Sequence, residues 1–207
     1  MKLIRLFYVF WVFFWFILFM LMIFPLVFIA SFWGKTIGGN FVYKLLHIWA
    51  DVLFPLAFIK PEKIIEDPVS KDEQYVFVCN HISLMDAPLT LKVIRNNFRP
   101  LGKIELKNIP IFGLIYRIAV VVVDRSNADN RQKSVQQLKS VINKGISILI
   151  FPEGTYNETD APMKNCFDGA FKIAIETQTP IKPIIYPDTF ARMNGERLLT
   201  FNPGICR

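Results

Sequence analysis

The chain has only two histidines, His47 and His81. His81 stands in Asn80-His81-Ile82-Ser83-Leu84-Met85-Asp86, closely following the short apolar run Tyr75-Val76-Phe77-Val78-Cys79. A neutral imidazole in such a place can take a proton from an attacking hydroxyl. A carboxylate can fix its tautomer and stabilise the cation that forms. Asp86 is the nearest carboxylate in sequence. Five positions on a regular helix rotate by about 140°, so the two side chains meet only if His81 precedes the helix or the turn is irregular. Pro88 favours a late helix start, which leaves His81 outside and puts Asp86 at or near the N-cap. A purely structural turn is the competing reading of the same residues.

Two further stretches carry possible chemistry. Phe151-Pro152-Glu153-Gly154-Thr155 directly follows the apolar run 146–150. Glu153 can accept hydrogen bonds from a polyol, and Gly154 lets a ligand approach the backbone closely. Alone, these residues read equally as a Pro-Gly turn. Asp124-Arg125 follows the run 119–123. Arg125 can grip a phosphate through a bidentate fork, with Lys103 and Lys107 as further positive charge nearby in sequence. Alone, these cations read as a solvated face. His47 is a packing or membrane-surface residue. Cys79, inside a strand, is a buried packer rather than a nucleophile. Cys166 and Cys206 have no evident partner, and three cysteines argue against a disulfide scaffold. One usable histidine and scattered carboxylates make a poor metal-ligand set, so no metal is expected.

The elements that must position these groups alternate. Strands are predicted at 75–79, 119–123, 146–151 and 181–186, the last interrupted by Pro183. Helices are predicted at 86–98 (ended by Pro100), 129–143 (capped by Gly145) and 168–176. This alternation implies an α/β domain with a largely parallel mixed sheet flanked by helices. Ligands of such sheets gather beyond the carboxyl ends of the strands, where all three candidate stretches fall.

The composition divides the chain. Of 207 residues 53% are hydrophobic, but the first 60 contain 45 apolar residues and the remainder about 44%. The reading is an anchor over 1–60 and a water-soluble domain over 61–207, opened by a charged linker at 61–74. Leu6 to Trp33 is 28 residues without a charge, enough to cross a hydrocarbon core and too long for a signal peptide. Pro25 is expected to kink or break it. Lys2 and Arg5 precede the run and Lys35 follows it, so orientation is undecided. A second apolar helix, 41–59, follows a turn expected at Gly38-Gly39-Asn40. A hairpin dipping into one leaflet and a true span with a surface helix both fit. The net charge of +7 is local: residues 92–144 alone carry +8. Its partner is expected to be a phosphate, a headgroup or an anionic bilayer. No nucleic-acid motif accompanies it.

Taken together, the motifs resemble the phospholipid/glycerol acyltransferase family, of the 1-acyl-glycerol-3-phosphate type. Asn80-His81-x-Ser83-x-x-Asp86 is similar to its first motif and Phe151-Pro152-Glu153-Gly154-Thr155 to its third, about 70 residues apart. Lys103-Ile104-Glu105-Leu106 with Ile109-Pro110-Ile111-Phe112-Gly113, then Val121-Val122-Val123-Asp124-Arg125, and Thr179-Pro180-Ile181-Lys182-Pro183-Ile184-Ile185 resemble the remaining conserved stretches. The resemblance implies a glycerol-phosphate acyltransferase-like fold and transfer of an acyl group from a thioester to a glycerol hydroxyl, giving phosphatidic acid. In it His81 is the general base and Asp86 orients it. Arg125, with Lys103, binds the acceptor phosphate, and Glu153, Gly154 and Thr155 shape the acceptor pocket. The implied partners are membrane lipids, a lysophospholipid acceptor and an acyl-carrier-protein or coenzyme A thioester as donor substrate. No other cofactor is implied. The implied location is the cell membrane, with the site on the cytoplasmic face. Ala119 stands where the second motif begins with Gly, Tyr156 where an Arg follows Glu-Gly-Thr, and Lys182 replaces an apolar residue. Tyr156 removes a cation from the implied phosphate site and opens a second reading, a lysolipid with an amino-acid-containing or zwitterionic headgroup. A non-catalytic lipid-binding protein is the reading outside the enzyme class. The chain stops at Asn202-Pro203-Gly204-Ile205-Cys206-Arg207, where a further strand is expected to begin, so the C-terminal end of the domain is expected to be missing.

Overall fold

The computed structural model describes residues 2–207 apart from 71, 125–127, 160, 162 and 196, and it leaves out the side chains of 2, 128, 129 and 131. Five parallel strands form the sheet, in the order β4 (Val121–Val123), β3 (Phe98–Lys103), β5 (Ser147–Ile150), β2 (Val76–Cys79) and β6 (Ile181–Ile184). Strands covered on both faces read as continuous apolar runs, as β2 and β5 do. Alternation sends Val76, Ile148 and Ile150 to one face. There they pack with Leu138 and Ile142 of α5 (Ala128–Ile142) and Ala170 and Ile173 of α6 (Gly169–Thr177). Phe77, Cys79 and Leu149 point to the other face. They belong to a larger core with α2 (Gly39–Leu56), α3 (Asp86–Val93) and α4 (Phe112–Ala119).

Several boundaries differ from the expectation. The helix expected over 86–98 ends at Val93, because Ile94 is already extended and Phe98 enters β3. Pro100 lies inside that strand. β3 uses its first half to pair β5 and its second half to pair β4, so Pro100 sits where β4 has not yet joined the ladder. Ala119 closes α4 instead of opening a strand, and β4 starts at Val121. The last residues form β7 (Gly204–Cys206), which pairs in parallel with β1 (Ile59–Pro61) as a separate two-stranded sheet. Lys182, the departure in β6, is buried and bonds the linker through Asp67 and the Pro68 carbonyl.

The apolar N-terminal segment is one helix, α1 (Lys2–Ser31), continuous through Pro25 and about 45 Å long. No break occurs there. It is long and apolar enough to cross a membrane. Its stripe Val9, Val12, Phe16, Met20, Ile23, Val27 and Ala30 is wholly or partly buried at helical spacing. The opposite stripe, Phe7, Phe10, Phe14, Ile17, Leu21, Phe28 and Phe32, is exposed. Gly39 and Asn40 do not make the reversal. The chain turns earlier, at 32–34, where Gly34 takes φ +75°, and the π-helical segment Gly34–Gly38 runs on into α2, which already holds Gly39 and Asn40. Gly38 sits directly against the Ala30 carbonyl, where any Cβ would collide. Glycine is therefore required by the close helix crossing.

α2 is tied to the sheet side of the molecule. Tyr43 Oη donates to the Ala119 carbonyl at 3.1 Å, and His47 Nδ1 donates to the Leu91 carbonyl at 3.0 Å. Burial lowers the His47 pKa and keeps the ring neutral, which fits a packing role. Asp51 accepts from Arg95 Nη2 at 2.6 Å and Lys92 Nζ at 2.5 Å, and these cations hold its carboxyl below the usual range. α1 is tied in turn to α2 and its exit: Tyr8 Oη donates to the Ala57 carbonyl and Trp11 Nε1 to the Leu56 carbonyl, at 2.6 and 2.8 Å. Buried Arg99 in β3 donates from Nη2 to the Lys35 carbonyl (3.0 Å) and Asn40 Oδ1 (2.8 Å), fastening the turn between the helices to the sheet.

Candidate active site

His81 lies in the loop between β2 and α3, beyond the carboxyl end of β2. α3 begins at Asp86, after Met85 as N-cap, so His81 precedes the helix and the five-residue spacing closes through an irregular turn. His81 Nδ1 and Asp86 Oδ2 are 2.9 Å apart. An ionised carboxylate only accepts, so Nδ1 carries the proton and Nε2 presents its lone pair. Nε2 has no hydrogen-bond partner among the described residues.

Asp86 is fully buried and anchors this turn. Its Oδ2 also accepts from the backbone N–H of Ile82 (2.8 Å) and Ser83 (2.9 Å), and its Oδ1 accepts from Thr189 Oγ1 (2.6 Å). The negative charge lies in the first turn of α3, where the helix dipole favours it. Ser83 Oγ donates to the Met193 carbonyl at 2.7 Å, so the segment after β6 also holds the loop.

The imidazole ring is held from both faces. Phe151 stacks on one side with centroids 4.0 Å apart and planes 18° apart; Tyr156 covers another side at 4.1 Å and 36°. The histidine side chain keeps 14% exposure, which leaves an edge for a reacting hydroxyl.

The Phe151–Thr155 stretch divides its labour. Glu153 is buried beneath the site, where Oε1 accepts from the His81 N–H (2.7 Å) and Oε2 from the Lys164 N–H (3.1 Å). It serves the loop rather than an acceptor hydroxyl. The Asn157 N–H adds a bond to the His81 carbonyl at 2.6 Å. Gly154 has φ +75°, and its N–H closes a turn on the Phe151 carbonyl at 3.0 Å. Thr155 is exposed at the rim. Lys103, the last residue of β3, places its ammonium 5.8 Å from the Tyr156 ring centroid. Arg125 lies outside the described residues.

Cys79 is buried below the loop, and desolvation pushes its thiol well above the usual range, which removes it as a nucleophile. Among the described residues no group of three or more His, Cys, Asp or Glu is placed to hold a metal ion.

Sequence reasoning missed Lys164 and Thr189. Lys164 Nζ donates to Thr155 Oγ1 (2.6 Å) and to the Tyr156 carbonyl (2.7 Å). It thus brings a cation beside the position where Tyr156 had appeared to remove one. It lies 11 residues beyond Glu153, outside any motif, so only the fold reveals it.

The model of a protein family described as Acyltransferase matches residues 60–187. This chain belongs to the acyltransferase family. The 1-acyl-sn-glycerol-3-phosphate acyltransferase of Haemophilus influenzae is 30% identical over 72% of this acyltransferase and 62% of its own length. The protein of the same name from Cocos nucifera is 33% identical over 60% of this chain and 41% of its own. The acyltransferase thus spans about two fifths to three fifths of the length of these curated relatives. Its fold matches the crystal structure of the 1-acyl-sn-glycerophosphate acyltransferase PlsC from Thermotoga maritima with a TM-score of 0.78. That match covers all of this chain and 83% of that one, at 24% identity.

Proposed function

We propose that this chain transfers a fatty acyl group from an acyl thioester to the free hydroxyl of 1-acyl-glycerol-3-phosphate, giving phosphatidic acid. The observation that carries this is the His81–Asp86 pair at 2.9 Å, with Nε2 presented at the carboxyl edge of the sheet. His81 Nε2 takes the acceptor hydroxyl proton as that oxygen attacks the thioester carbonyl carbon. Asp86 stabilises the imidazolium. The tetrahedral intermediate then collapses, the C–S bond breaks, and the departing sulfur takes the proton back. No covalent enzyme intermediate and no cofactor besides the donor takes part. The names of the relatives support the choice of acceptor.

Lys164, with Lys103, supplies positive charge for the acceptor phosphate, and this favours lysophosphatidate over a zwitterionic lysolipid. Lys164→Ala is expected to raise KM about 10-fold or more for lysophosphatidate. It should leave KM for monoacylglycerol, which lacks the phosphate, unchanged. Steady-state kinetics with both acceptors checks this, and equal KM values in the variant and the parent would remove Lys164 from the site. An acceptor panel in which a zwitterionic lysolipid outcompetes lysophosphatidate would establish the second reading.

We also propose that α1 lies along one leaflet instead of crossing the bilayer, with the site facing the cytoplasm. Its buried stripe packs beside α2 from Val9 to Ala30, and α2 is itself packed on the sheet, so a transverse α1 would drag the domain into the hydrocarbon. The exposed stripe of Phe, Ile and Leu faces the acyl chains. Cysteines introduced at Arg5 and Lys35, in a background where exposed Cys166 is Ser, are expected to react with an impermeant maleimide from the same, cytoplasmic side of sealed vesicles. Reaction from opposite sides would show a span.

A further inference from the structure

A second cluster of positive charge lines a cleft at the end of β4. This cleft of about 350 Å³ is lined by Lys35, Lys107, Arg117 and Lys133, with Ile104 and Val122 as apolar walls. The four cations come from four elements: the turn between α1 and α2, the 3-10 turn Ile104–Asn108, α4 and α5. Among the described residues the ammonium groups of Lys35, Lys107 and Lys133 make no hydrogen bond or ion pair. The Arg117 guanidinium donates, among the described residues, only from Nε to the Lys107 carbonyl, at 3.1 Å. Among the described residues one carboxylate, Asp124, reaches the lining, and it accepts from Asn130 Nδ2 at 2.7 Å. The described lining thus carries four cations and one carboxylate, a net positive field that attracts an anion.

The position of the cleft says which anion. It opens at the end of β4, on the same carboxyl edge of the sheet as His81. In the order β4-β3-β5-β2 the two places are three strand spacings apart, which is about 14 Å. The phosphopantetheine arm shared by coenzyme A and acyl-carrier protein has 13 bonds between phosphorus and sulfur. That is rather more than four extended residues, or about 15 Å. A phosphate held in the cleft therefore lets the thioester reach His81 across the ends of β3 and β5. We propose that this cleft binds the phosphate of the phosphopantetheine arm of the acyl donor, through Lys107 and Lys133 with support from Lys35 and Arg117. The inference rests on the acyl-transfer reading for the identity of the ligand, but it can be tested without turnover.

The test is equilibrium binding of 4′-phosphopantetheine and of pantetheine to the whole 207-residue chain in neutral detergent micelles. The phosphorylated arm is expected to bind about 10-fold or more tightly, and the double substitution Lys107→Ala/Lys133→Ala should abolish that difference while leaving pantetheine affinity unchanged. Equal binding of the two compounds by the parent protein overturns the proposal, as does an undiminished preference in the double variant. Loss of pantetheine binding as well marks general damage to the fold. Single charge-keeping Lys→Arg variants then decide: restored preference supports the cleft, and its absence overturns it. In kinetics, the double variant should raise KM for acyl-coenzyme A or acyl-carrier protein but not for an acyl-N-acetylcysteamine thioester, which lacks the phosphate. The donor with the larger rise identifies the natural source. A defect confined to anionic vesicles would make the cleft a lipid-headgroup site and overturn the proposal. Absence of thiol release from every donor by the parent protein would instead sink the acyl-transfer reading, and the binding result would stand apart from it.

Discussion

His81→Ala is expected to lower kcat for acyl transfer by about 10²–10⁴-fold, the range that a positioned general base contributes. The loss should fall on kcat more than on KM. His81 faces the reacting oxygen, whereas the groups proposed to bind phosphate are Lys103, Lys164 and the basic cleft. The fold should survive. The His81 bonds that fix the loop run through its backbone, to Glu153 Oε1 and from Asn157 N, and both persist in alanine. The lost contacts are the ring stack with Phe151 and Tyr156 and one bond to Asp86. Thiol release assayed with lysophosphatidate, alongside a thermal melt, checks both halves. Undiminished turnover in a folded variant would exclude His81 as the base.

The second large effect is at Asp86, where chemistry and folding meet. Asp86→Ala leaves the backbone N–H groups of half-buried Ile82 and buried Ser83 and the Thr189 hydroxyl without their acceptor. Each such loss costs about 1–3 kcal/mol, so that variant reports mainly on stability. Asp86→Asn is the cleaner probe. Its amide oxygen can take the place of Oδ2 and accept from His81, Ile82 and Ser83, while its NH₂ donates to Thr189 Oγ1, which accepts as readily as it donates. The net charge that stabilises an imidazolium is gone. The expected result is a kcat about 10²–10³-fold lower, with a stability loss of about 1–3 kcal/mol, read by thiol release and by denaturant unfolding. Turnover close to the parent's would reduce Asp86 to a structural role.

Much of this site could be read along the chain because its chemistry is local. His81 and Asp86 fall within one loop, and Pro88 delays the helix enough for them to meet. The strands β2 and β5 announced themselves as continuous apolar runs, and the ligand edge followed from their parallel order. The failures have a common cause in contacts made at long range. β3 carries Pro100 and Gly102, residues that lower strand propensity, and it is a strand because β4 and β5 pair with it. The β1–β7 pairing joins residues some 145 positions apart and leaves no local trace. Glu153 looked like a group for the acceptor, but burial turned both its oxygens to backbone N–H groups. Lys164 returns to the site only through the loop that Glu153 holds. Gly38 was expected only as a turn residue because glycine serves turns and close helix crossings alike, and only the position of Ala30 shows the crossing.

The bonds from the segment after β6 to the catalytic loop also set an order of events during synthesis. Asp86 receives its hydroxyl from Thr189, Ser83 donates to the Met193 carbonyl, and the Leu84 N–H donates to the Gly195 carbonyl at 3.1 Å. These partners leave the ribosome about 110 residues after His81 itself. The base is therefore held in its catalytic turn only after the segment beyond β6 has been made and has folded back onto the loop.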